Sequence, residues 1–91
     1  KEFGMHRFRR RDVYVTEALK NQILAAANKI PEYLGQYKVI KSETKDGFKF
    51  FVENGWLLIR ASGTEPLIRF YSESDSEMKV LELLDAGMKL K

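Results

Sequence analysis

Two dipeptides constrain this chain more than any other feature: Asp46-Gly47 and Asn54-Gly55. Asx-Gly pairs favour the positive φ angles of tight hairpin turns, so each reads as the tip of a β-hairpin. Between them Phe48, Phe50 and Val52 alternate with Lys49, Phe51 and Glu53, giving a strand with at least one buried face. Strands joined by tight turns run antiparallel, so the middle of the chain is an antiparallel sheet. Trp56 to Arg60 is too apolar for a sheet edge and is predicted to lie centrally.

The flanks complete an α+β pattern. Asp12-Val13-Tyr14-Val15 reads as a short strand of β-branched and aromatic residues. Thr16 is a good N-cap, Glu17 meets the positive end of the helix dipole, and Leu19, Ile23, Ala26 and Ile30 recur at helical spacing until Pro31. A turn region, 31–36, leads to a strand over 37–44. After the loop 61–66 comes a strand over 67–72. Ser74-Asp75-Ser76-Glu77 has the form of a capping box, with Met78, Leu81, Leu84 and Met88 on one face of a last helix. The predicted order is β-α-β-β-β-β-α, with helices on one face of an antiparallel sheet.

At 91 residues the chain falls below the common domain size of about 100–150, so one core is expected, with little room for a deep enclosed pocket. Six Phe, four Tyr and one Trp argue against disorder. No apolar run approaches the roughly 20 residues of a membrane span, and residues 1–12 lack the apolar stretch of a secretory signal. The absence of Cys excludes disulfides and thiolate metal sites and fits a reducing, cytoplasmic setting. A chain that opens on Lys rather than Met reads as a piece of something longer.

The net charge of +3 is uneven: residues 1–11 hold five basic side chains and one acidic one. Such a head is a basic linker or an Arg-rich edge strand, and a nucleic-acid-binding arm is its functional alternative. His6 sits among arginines with no catalytic partner and reads as a solvated residue. Asp12, Asp46, Asp75 and Asp85 are scattered without metal-ligand spacing. Phe48, Phe50 and Phe51 read as core, because the stacking motif of RNA-recognition sheets is missing.

One stretch carries chemistry: Arg60-Ala61-Ser62-Gly63-Thr64-Glu65-Pro66-Leu67-Ile68-Arg69. The two arginines flank a short loop and can converge on it, and guanidinium forks suit phosphate oxygens. Ser62 and Thr64 add hydroxyl donors, and Gly63 offers close backbone approach with φ > 0, as in an anion-binding nest. Pro66 limits the loop's freedom. No Gly-Lys-Ser/Thr follows, so this is not a P-loop. The bland reading is a polar hairpin loop whose arginines are solvated or paired with Glu65.

Asp46-Gly47-Phe48-Lys49-Phe50 together with the run from Gly55 to Tyr71 resembles the C-terminal domain of the α-D-phosphohexomutases, the phosphoglucomutases, phosphomannomutases and their amino-sugar relatives. The resemblance covers roughly residues 9–91. Ala61 and Phe70-Tyr71 look more like the glucose and mannose enzymes than phosphoglucosamine mutase. The resemblance implies a TATA-binding-protein-like fold over 12–91, the last of four domains, with 1–11 as a basic lead-in or hinge whose first four residues are native or a remnant. It implies an isomerase in which Arg60, Ser62, Gly63, Thr64 and then Arg69 hold the phosphate already on a hexose 1- or 6-phosphate. A phosphoserine in another domain would transfer to the free hydroxyl, with Glu65 orienting an arginine. Mg2+ and a hexose 1,6-bisphosphate activator belong to the whole enzyme, with no catalytic residue and no metal in this piece. Alone, the piece is expected to bind phosphate weakly, catalyse nothing and bind neither nucleic acid nor membrane. The alternatives are a nucleic-acid module using residues 1–11 or a module gripping a phosphorylated protein.

Overall fold

In the computed structural model, which describes residues 7–90, both Asx-Gly sites lie at strand reversals. The elements are β1 (Arg7–Tyr14), α1 (Glu17–Asn28), β2 (Tyr33–Leu34), β3 (Tyr37–Lys38), β4 (Lys41–Glu43), β5 (Phe48–Val52), β6 (Gly55–Ala61), β7 (Leu67–Ser74) and α2 (Glu77–Met88). Val52 faces Gly55, so Glu53 and Asn54 span the turn, and Asn54 alone takes a positive φ, 59°. The other reversal is longer, residues 44–47, with Gly47 at φ 124°. The main sheet has order β1-β7-β6-β5-β4 with every neighbour antiparallel, and β6 is central as its apolarity predicts.

One face of this sheet makes the core. Phe50, Val52, Leu57, Ile59, Ile68 and Phe70 point inward, where Ile23 and Ala27 of α1 and Val80, Leu83 and Leu84 of α2 cover them. The helices therefore share one face, as expected for this α+β class. Thr16 Oγ1 accepts from Leu19 N and caps α1, which ends at Asn28.

Several expectations need correction. Residues 37–44 are not one strand. Tyr37–Lys38 pairs with Tyr33–Leu34 in a separate hairpin turned by Gly35 (φ 62°), and the chain changes partners at Val39, which donates to Glu32, and Ile40, which donates to Phe51. The cap of α2 is Ser76, whose Oγ accepts from Lys79 N, because β7 continues to Ser74. Buried Ser74 instead donates to the Asn54 carbonyl, 2.9 Å away. The inward stripe of α2 is consequently Val80, Leu83, Leu84 and Gly87, while Met78 is 71% exposed. Leu19 and Ile30 of the other helical stripe are also exposed, and Phe51 lies on the helix-free face with Lys41 and Lys49 near its ring.

For the basic head the edge-strand reading, not the linker, is the one the fold adopts. Arg7–Arg11 are not a linker but the first half of edge strand β1, paired along β7 from Ser74 to Phe70. Alternation turns Arg9 and Arg11 to the helix face, where they meet Glu77 at 3.0 Å and Asp85 at 2.7 Å. Those two partners sit on α2, sixty-eight or more residues away, which hides them from local patterning. His6 and the rest of residues 1–6 lie outside the described residues.

Helix α2 touches the sheet most closely at Gly87, where an added Cβ would stand 2.9 Å from Leu57 Cδ2 and 3.1 Å from Phe70 Cδ2. Gly87→Ala should therefore destabilise the domain by about 1–3 kcal/mol despite alanine's better helix propensity, read as a lower denaturant midpoint at unchanged m. On the other side of α2, the Tyr37 phenol donates to Glu82. This hydrogen bond to the carboxylate raises the Tyr37 pKa above 10.0, opposed in part by the Gln36 amide. The raised value favours the protonated folded form, so its stabilising contribution is complete below pH 10 and fades as pH climbs through the folded pKa. Tyr37→Phe should abolish that alkaline component of the stability profile.

Candidate functional site

The β6–β7 register places Arg60 directly opposite Arg69. Both follow the helix-free face, since their neighbours Ile59, Ile68 and Phe70 are buried on the other. Like charges directly opposite on adjacent strands oppose folding unless something neutralises them. Arg69 is partly compensated: its Nε lies 3.8 Å from Asp12 Oδ2, while the second oxygen of Asp12 is 3.4 Å from Arg10 Nε. Arg60 is exposed and makes no ion pair or hydrogen bond among the described residues.

The loop between the strands is closed by Ser62 N donating to Leu67 O at 3.0 Å and by Leu67 N donating to Glu65 O at 2.7 Å. Ser62 Oγ accepts from Thr64 N and Glu65 N, each at 3.3 Å, so a serine side chain turns the loop. The Thr64 hydroxyl has no partner among the described residues. Two ties anchor the loop from outside: Val15 N donates to Pro66 O at 2.9 Å, and Lys20 Nζ donates to Ser62 O at 2.9 Å and Glu65 O at 3.4 Å.

The structure thus brings Arg60, Ser62, Gly63, Thr64 and Arg69 to one end of the sheet, with two corrections to what the residues suggest. Gly63 is not left-handed; the positive-φ glycines are Gly35 and Gly47. Because Ser62 turns the loop, Gly63 has no need of that conformation, and a Cβ there would meet nothing within 4 Å. Glu65 pairs with neither arginine among the described residues; Asp12 occupies that role for Arg69. Sequence reading also misses Lys20, and the contact beneath Arg60, where a Cβ on Gly47 would be 2.8 Å from Arg60 Cγ and 2.7 Å from Ile59 O. Asp12 opposite Arg69 and Lys20 against Ser62 are contacts between residues distant in sequence, invisible without the fold.

No group of three or more His, Cys, Asp or Glu side chains able to hold a metal exists among the described residues. No described helix is long and apolar enough to cross a membrane. What this end of the sheet holds is two arginines and two hydroxyl-bearing residues around a loop closed by its own hydrogen bonds.

Residues 13–90 match the model of the family "Phosphoglucomutase/phosphomannomutase, C-terminal domain", and the chain belongs to that family. It is 51% identical over 57 residues, 63% of this chain and 12% of the relative, to a phosphoglucomutase/phosphomannomutase of Thermococcus kodakarensis. It is 54% identical over 48 residues, 53% of the chain and 11% of the relative, to a phosphoglucosamine mutase of Methanocaldococcus jannaschii. A Methanococcus vannielii phosphoglucosamine mutase is 40% identical over 74 residues, 81% of the chain and 16% of the relative. A solved phosphoglucomutase/phosphomannomutase family protein of Burkholderia thailandensis shares the fold, with TM-score 0.61, 16% identity, and coverage of 91% of this chain and 16% of that one. The chain spans only about a tenth to a sixth of these proteins. Relatives of both names match at comparable identity.

Gly47 is the substitution that separates support from contact. Gly47→Ala forces a strained φ and a backbone clash, and should cost about 1–3 kcal/mol while shifting the Arg60 side-chain resonances. Gly63→Ala should change thermal stability by less than about 0.5 kcal/mol.

Proposed function

We propose that this domain holds the phosphate group of a hexose 1- or 6-phosphate within a phosphohexomutase. The observation that carries the reading is Arg60: a guanidinium with no partner among the described residues, held opposite a second arginine beside a hydroxyl-bearing loop. A dianion placed there would relieve the cross-strand repulsion and accept the forked donors of both arginines. Ser62 Oγ would keep accepting from Thr64 N and Glu65 N while donating its own O–H to phosphate.

In this reading the domain catalyses by positioning. It fixes one phosphate so that the free hydroxyl at the other end of the sugar meets a phosphoserine carried by another domain. Because the phosphorylated end changes during a 1-to-6 interconversion, the loop must accept either phosphate, which suits charge and hydroxyl contacts better than sugar-specific ones. The bound divalent metal and the identity of the sugar are matters for the rest of the enzyme, and the isolated domain is expected to be inactive. Matches to relatives of both hexose and hexosamine names agree with a loop that does not read the sugar.

The nucleic-acid alternative loses ground in the fold, because Arg9 and Arg11 are spent on Glu77 and Asp85. An NMR titration with glucose 1-phosphate or inorganic phosphate tests the proposal. It should shift the amides of Ser62, Gly63 and Thr64, and Arg60→Ala should weaken binding by about tenfold to a hundredfold, the range for a lost charge-assisted hydrogen bond. Shifts on adding oligonucleotide that are confined to β1, with the loop silent to phosphate, would sink it. So would a phosphopeptide that competes far better than the sugar phosphate.

A further inference from the structure

Lys20 stands out as the one loop-anchoring side chain that is charged. It lies in the second turn of α1, half-buried, and makes no ion pair among the described residues. Its Nζ donates to the carbonyls of Ser62 and Glu65, forty-two and forty-five residues away. A solvated lysine would find water or a carboxylate more cheaply than two backbone oxygens of a distant loop, since ordering its four-carbon stem costs side-chain entropy.

The consequence follows from peptide geometry. Peptide bonds among the described residues are trans, so the carbonyl of residue 62 and the N–H of residue 63 point in opposite directions across one plane. Drawing the Ser62 carbonyl toward α1 therefore turns the Gly63 N–H away from it. That N–H has no acceptor among the described residues, and the space over Gly63 is open to at least 4 Å. Glu65 O, the second carbonyl, precedes Pro66, which has no N–H to orient. Lys20 thus gathers loop carbonyls on one side and presents a bare backbone donor on the other. Its charge, unneutralised by any carboxylate among the described residues, adds to the positive field of Arg60.

We propose that Lys20 is a positioning residue for the phosphate-holding loop, fixing the Gly63 N–H as a donor to the anion without touching it. The proposal rests on the phosphate reading above and assigns α1 a part in it. The test compares the 91-residue chain with its Lys20→Met and Lys20→Arg variants, with inorganic phosphate as the probe. Lys20→Met should leave the thermal midpoint near that of the parent, speed amide exchange at Ser62 and Leu67 several-fold without ligand, and weaken phosphate binding about tenfold. The Gly63 amide shift on adding phosphate should shrink with it. Lys20→Arg, which keeps charge and donors, should restore both exchange and affinity to within about twofold.

The outcomes separate cleanly. If the parent binds phosphate at the loop and Lys20→Met binds it equally well, Lys20 is no positioning residue and the phosphate reading stands. If the parent binds no phosphate there, both fall, and any loosening in Lys20→Met marks Lys20 as a plain structural tie. Failure of Lys20→Arg to rescue would also overturn the proposal, since a fork of donors on the same charge would then not suffice.

Discussion

Everything at the candidate site depends on the register between β6 and β7. A slip of β6 by one residue would expose Leu57 and Ile59 together and carry Arg60 into the core. Each of those apolar side chains contributes about 1.5–3 kcal/mol by being buried, against roughly 0.2–1 kcal/mol lost to a like-charged pair. Packing wins by a wide margin, so the hydrophobic face of the sheet holds two arginines together on its other face against their own repulsion. The energy that concentrates positive charge at the loop comes from residues that never approach it.

The surrounding elements then divide the work. The Asp46-Gly47 reversal passes under Arg60, β1 supplies Asp12 to moderate Arg69, and the β1–α1 junction holds the loop through Val15 and Lys20. Arg69 is shared with a carboxylate while Arg60 is not, so the two cations differ although they face one another. A loop tied from outside by Val15 and Lys20 and turned by its own serine is held in one conformation before anything binds.

Local chemistry was legible wherever it was local. Thr16 capped its helix, Trp56 to Arg60 lay at the centre of the sheet, and the loop between two arginines stood out before any fold existed. What failed depended on where neighbouring elements stopped. The capping-box pattern at Ser74 could not reveal that β7 would continue two residues further, and that shift rotated the inward stripe of α2 from Met78 and Leu81 to Val80 and Leu83. Residues 37–44 look like one strand in the sequence, yet hydrogen bonds from Val39 and Ile40 go to different partners. Lys20 and Asp12 acquired their roles only through contacts across the whole chain, for which no spacing rule exists.

The arginines of β1 have a consequence unrelated to ligands. β1 is an outer strand with no strand beyond it among the described residues, and β4, the opposite margin, is only three residues long. An open margin of this kind invites another chain to extend the sheet, the first step toward insoluble fibres. Arg7, Arg9, Arg10 and Arg11 would have to be stripped of water and crowded against a copy of themselves for that to happen. The surplus of charge at the head of the chain thereby acts as a guard on an exposed seam, keeping a small sheet finite.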